Sequence, residues 1–70
     1  MGDTMFFYDN NLLHIGNFQK IIFVENELII IELKKVTLEI HGENLLIIQL
    51  ADDEMYIQGI VKEIDLKNEK

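Results

Sequence analysis

Between Val36 and Leu66 the chain reads VTLEIHGENLLIIQLADDEMYIQGIVKEIDL, and this stretch limits the fold more than any other. Val36, Leu38 and Ile40 alternate with Thr37, Glu39 and His41. That is the period-two pattern of a strand with one face buried and one wet. Gly42-Glu43-Asn44 is expected to turn the chain, Leu45–Leu50 to form the next strand, and Ala51–Glu54 to form an acidic loop. Met55–Leu66 closes the segment as a long strand whose pattern slips. Met55, Ile57 and Gly59 share one parity, whereas Ile60, Ile64 and Leu66 follow the other. A bulge at Gly59 would return Ile60 to the core side. A helix competes for residues 60–70, because Ile60, Val61 and Ile64 recur at helical spacing. The β-branched residues and the absence of an N-cap favour the strand.

The upstream half punctuates itself in the same way. Met5–Tyr8, Leu12–Ile15, Phe18–Val24 and Glu27–Leu33 are apolar runs separated by Asp9-Asn10-Asn11, Gly16-Asn17 and Glu25-Asn26, with a weaker turn signal at Lys34-Lys35. Asn and Asp suit turns because they tolerate left-handed backbone and bond their own main chain. The spacing predicts an all-β single domain of about six to seven short, mainly antiparallel strands, forming a rolled sheet, barrel or sandwich. Its core would span about residues 5–66, with flexible ends at 1–4 and 67–70.

Seventy residues, 49% of them hydrophobic, leave little interior for so much apolar side chain. Ile21–Val24, Leu28–Ile31 and Leu45–Ile48 are apolar on both parities, as strands covered on both faces are. The sheet must therefore roll on itself or bury a face against a second copy, so a homo-oligomer is expected. Leu28, Ile30, Leu45 and Ile47 are the candidate interface residues. No cysteine is present, which removes disulfides and thiolate metal sites. Met1-Gly2-Asp3-Thr4 lacks a positive n-region and no apolar run approaches the ~20 residues needed to span a bilayer. A cytoplasmic protein without direct membrane insertion is the expectation.

The net charge of −7 and the lack of arginine argue against a phosphate-binding groove. A small β-barrel of Sm-like or OB-like type, binding RNA or a small ligand, is the alternative. Met55-Tyr56-Ile57-Gln58-Gly59-Ile60 carries a weak likeness to an Sm motif, with Gln58 where that motif has arginine. No phosphate loop or nucleophile elbow is present, so no enzyme is expected. Were the strand to continue past Gly42, Glu39, His41 and Glu43 would share one face as a conceivable metal arrangement. With Gly42 ending the strand, they read as a solvated polar face, and His14 as an outward-facing strand residue. Asp52-Asp53-Glu54 lacks calcium-loop spacing and reads as an acidic turn. No catalytic, cofactor or metal residue is assigned. Gly42, Glu43, Asn44 and Gly59 are assigned structural turn and bulge roles.

Leu38-Glu39-Ile40-His41-Gly42-Glu43-Asn44-Leu45-Leu46-Ile47, then Leu50, then Met55-Tyr56-Ile57-Gln58-Gly59-Ile60-Val61-Lys62-Glu63-Ile64, resembles the YabP/YqfC-like sporulation protein family. Leu12–Phe23 and Asn26–Ile31 fit its upstream strands. The resemblance implies a non-catalytic interaction or assembly role in endospore formation, on the mother-cell side. It also implies a membrane-associated sporulation protein as partner.

Overall fold

The structure, a computed structural model, describes residues 5–52 and 54–68, with side chains from Tyr8 onward except that of Asp53. The protein is all-β. Among the described residues six strands run β1 (Met5–Asp9), β2 (Leu12–Gly16), β3 (Lys20–Val24), β4 (Leu28–Glu32), β5 (Val36–Leu50) and β6 (Glu54–Asn68). Every paired neighbour is antiparallel, and the sheet order is β1-β2-β6-β5-β4-β3. β1 and β3 end the order unpaired with each other, so the sheet is not closed into a barrel.

The turns follow from local chemistry. Asn10 and Asn11 join β1 to β2 with φ of 52° and 60°, the left-handed pair that a two-residue hairpin demands. Around Asn26 and Glu27, Glu25 and Leu28 exchange backbone hydrogen bonds of 2.8 and 3.4 Å. At Lys34-Lys35 the Leu33 amide donates to the Val36 carbonyl at 2.8 Å, and Lys35 takes the left-handed position at φ 79°. The acidic loop closes when the Ala51 amide donates to the Glu54 carbonyl at 2.8 Å.

β5 and β6 set the architecture. Fifteen residues of straight strand would reach about 50 Å, yet the longest dimension of the molecule is 30 Å. Both strands must bend, and they do so together. The first half of β5 lies between β4 and the second half of β6, while the first half of β6 lies between β2 and the second half of β5. One continuous sheet thereby becomes two arms that close on a shared core. Leu13, Ile15, Met55 and Ile57 come from one arm; Ile29, Ile31, Leu33, Leu38 and Ile40 come from the other; Leu45 completes the cluster at the bend.

The bend lies where Gly42-Glu43-Asn44 was expected to reverse the chain. No reversal occurs, because β5 runs unbroken from Val36 to Leu50. The β5–β6 register shifts three times instead. Lys62 is the extra residue on β6, between the His41–Glu63 and Gly42–Val61 pairs. Asn44 and Leu45 together oppose Gly59, and Ile48 is the third irregular residue. Asn44 takes φ 55°, a left-handed value that asparagine tolerates. Gly42 and Gly59 are required by close approach. A Cβ on Gly42 would run into the Ile60 carbonyl, and one on Gly59 would lie 2.7 Å from the Asn44 carbonyl oxygen at φ 146°.

Other expectations are corrected by the same geometry. The irregularity beside Gly59 does not bring Ile60 inside: Ile60 is exposed, and Val61 packs against the core. The parity of Met55 and Ile57 persists to Val61 and changes only at Lys62, after which Ile64 packs inward. Phe18 and Gln19 precede β3 rather than belonging to it. Lys67 and Asn68, expected in a flexible end, pair with Thr37 and Val36 at the end of β6. Residues 1–4, 69 and 70 lie outside the described residues, and no helix occurs among those described over 60–68.

Candidate interaction surface

Each bend is closed by a hairpin turn from the neighbouring pair of strands. Pairing of β4 with β5 ends at Leu28 and His41. Just beyond, the Gly42 amide donates to the Glu27 carbonyl at 3.1 Å and the Leu45 amide to the Asn26 carbonyl at 2.9 Å. Pairing of β2 with β6 ends at Leu12 and Gln58, and the Gly59 amide donates to the Asn11 carbonyl at 3.0 Å. The Tyr8 hydroxyl reaches the same place. It accepts from the Val61 amide at 3.2 Å and stands 3.0 Å from both the Gly59 carbonyl and Asn11 Oδ1, to one of which its single proton is donated. Tyr8→Phe is expected to lower stability by about 1 kcal/mol, the net value of such a bond, read as an earlier urea midpoint with an unchanged slope.

The expected interface residues divide. Leu45 is buried in the core, and Ile47 packs against it, so neither is a free contact residue. Leu28 and Ile30 lie half-buried on the outer face of β4, opposite His41 and Glu39 in register. The exposed aliphatics of the second half of β5 follow Leu45 and Ile47 in sequence: Leu46 at 60%, Ile48 at 48% and Leu50 at 56%. Among the described residues only β6 pairs with this half of β5, so beyond Leu45 its other side is a strand edge. The signal was present as apolar residues on both parities. Which parity faced inward depended on bulges that the pattern did not place.

That edge is also free of charge. Leu45-Leu46-Ile47-Ile48-Gln49-Leu50 contains no ionisable side chain. It adjoins a shallow groove at the bend, lined by Asn11, Asn44, Leu46, Gln58, Gly59 and Ile60, all uncharged. Charges gather elsewhere. Glu43, expected in the turn, instead pairs with Lys62 at 2.7 Å. That hydrogen bond and the opposite charge hold the Glu43 carboxyl below its ordinary range and the Lys62 ammonium above its own. On the outer face of the other arm, His41 Nε2 lies 3.6 Å from Glu39 Oε1 and 3.8 Å from Asp65 Oδ2. Glu39, His41 and Glu43 therefore do not converge; Asp65 takes the third place, opposite Glu39 on β6. His14 stacks on Tyr56, ring centroids 4.6 Å apart, and its Nε2 stands 3.5 Å from Glu54 Oε1.

Fold and surface together define a small all-β protein with a doubly bent sheet and an open, uncharged edge. No family model matches the chain, and neither a curated protein nor a solved structure matches it.

Proposed function

We propose that the protein is a non-catalytic assembly module that associates with a second copy of itself through the edge of β5 at Leu46, Ile48 and Leu50. The carrying observation is the coincidence of open edge, exposed aliphatics and absent charge on a chain of net charge −7. Two such chains repel each other over most of their surfaces. The uncharged edge and groove are where they meet without opposing carboxylates. An antiparallel approach centred on Ile48 sets Leu46 of one copy against Leu50 of the other, so the stretch is its own complement. Pairing supplies backbone hydrogen bonds to an edge otherwise prone to uncontrolled addition. The resemblance of residues 38–47 and 55–64 to YabP/YqfC-like proteins supports endospore formation as the setting. The mother-cell cytoplasm, beside a membrane-associated partner, is the compartment that resemblance favours.

Sedimentation equilibrium of the wild type and of Ile48→Lys tests this reading. The wild type is expected to reach twice the monomer mass at tens of micromolar. Ile48→Lys, which places a charge at the centre of the pair, is expected to remain monomeric with its β-sheet circular dichroism retained. A wild type that stays monomeric, or a variant that associates equally well, contradicts it.

A further inference from the structure

We propose that Glu39, His41 and Asp65 form a binding site for a first-row divalent transition metal, represented by Zn²⁺, on the outer face of the β3–β4–β5–β6 arm. Their nearest ligand atoms all lie within 4.8 Å of one another. His41 Nε2 is the common vertex, 3.6 Å from one carboxylate oxygen and 3.8 Å from the other. Zinc bonds of about 2.0–2.1 Å in a tetrahedron put neighbouring donor atoms about 3.3 Å apart. The two gaps to His41 thus need to close by only a few tenths of an ångström, and the Glu39–Asp65 gap, within 4.8 Å, by up to about 1.5 Å. They exceed direct hydrogen-bond length, which leaves room for an ion between donors already turned toward one another.

Strand pairing sets the backbone frame of the three ligands. Glu39 and His41 alternate on β5, held between β4 and β6, and Asp65 stands directly opposite Glu39 in register. On the β4 side, Leu28 and Ile30 are the register partners of His41 and Glu39 and form an aliphatic flank. On the β6 side, Glu63 is the register partner of His41 and adds negative charge. Lys67 is the competing cation, its Nζ 3.7 Å from Glu39 Oε2. That oxygen is not the one facing His41, so the metal can share Glu39 with the lysine or displace it. One imidazole with two carboxylates selects zinc, nickel or copper over calcium and magnesium, which favour all-oxygen sites. Three protein ligands leave a fourth position for solvent. The site lies away from the β5 edge and does not depend on the association proposed there.

Isothermal titration of the full chain with zinc chloride in a non-chelating buffer tests the assignment. The wild type is expected to bind one ion per chain, and His14→Ala to bind within twofold of it. His41→Ala is expected to weaken binding at least tenfold. Asp65→Asn, which keeps shape and hydrogen-bonding capacity, is expected to weaken it severalfold. Circular dichroism confirms that each variant is folded, and Asp65→Asn carries the test if His41→Ala is not. No saturable binding by the wild type overturns the proposal. So does binding that survives loss of His41 or Asp65, or that vanishes with His14→Ala.

Discussion

Gly42→Ala is expected to leave the chain largely unfolded at room temperature. The added methyl would occupy the position of the Ile60 carbonyl, a backbone group on the paired strand, and would also approach Leu45 Cδ2 at 3.2 Å. Backbone cannot rotate away as a flexible side chain can, so β5 and β6 would have to separate at the bend. The neighbouring bonds from Gly42 to Glu27 and from Leu45 to Asn26 would be lost with it. Overpacking alone costs about 1–3 kcal/mol, and each lost backbone hydrogen bond adds about 0.5–1.5 kcal/mol, more at the buried Leu45. A 70-residue domain has roughly 3.5–10 kcal/mol in total at 0.05–0.15 kcal/mol per residue, so one methyl can remove most of it. Gly59→Ala meets the Asn44 and Glu43 carbonyl oxygens at 2.7 and 3.0 Å and must also hold φ near 146°. It is expected to be comparably damaging. Urea denaturation followed by circular dichroism measures both, and a midpoint within error of wild type for either would contradict the bend geometry.

Ile40→Ala and Ile57→Ala are expected to destabilise by about 2–5 kcal/mol each, the usual cost of emptying a fully buried aliphatic site. Ile40 is fully buried in one arm and Ile57 almost so in the other. Because both belong to one cluster, each substitution should lower a single unfolding transition rather than release its own arm. Far-ultraviolet circular dichroism and tyrosine fluorescence read different parts of the molecule and should coincide for both variants. Separate transitions by the two probes would mean that the arms do not share a core.

The two positions are related by more than burial. Exchanging β1 with β3, β2 with β4 and β5 with β6 maps the strand order onto itself reversed. Under that exchange Leu38-x-Ile40-x-Gly42 falls on Met55-x-Ile57-x-Gly59, and Leu13-x-Ile15 falls on Ile29-x-Ile31. In both halves an alternating pair of buried residues leads into a glycine at the bend. This internal two-fold was readable in the repeated motif, but short repeats of common residues are faint until the pairing shows them to be equivalent.

The strands themselves were legible because period-two alternation and asparagine-rich turns are local properties. Val36–His41 alternates as expected, and Asn10-Asn11 turns as expected. The fate of Gly42-Glu43-Asn44 was not legible. Glycine and asparagine permit the same left-handed backbone in a hairpin and in a bulge. What distinguishes them is the partner strand: here β6 follows β5 around the corner, so the chain bends and continues. The inward parity of β5 beyond the bend was hidden for the same reason. Two irregularities, at Asn44-Leu45 and at Ile48, lie between the clear pattern of Val36–His41 and the exposed Leu50. Leu45 therefore belongs to the core, and Leu46 and Ile48 to the surface. The Asp65 position beside His41 depends on β5–β6 register across 24 residues of sequence, which no local motif encodes.

Hydrogen–deuterium exchange of the Leu46–Leu50 segment at rising protein concentration tests the proposed edge pairing most directly. Amides on an open edge exchange readily, whereas amides bonded to a second strand are protected. Protection of this segment is expected to grow with concentration and to disappear in Ile48→Lys, while amides in the first half of β5 remain unchanged. Exchange of Leu46–Leu50 that is independent of concentration, or equally slow in Ile48→Lys, would contradict it.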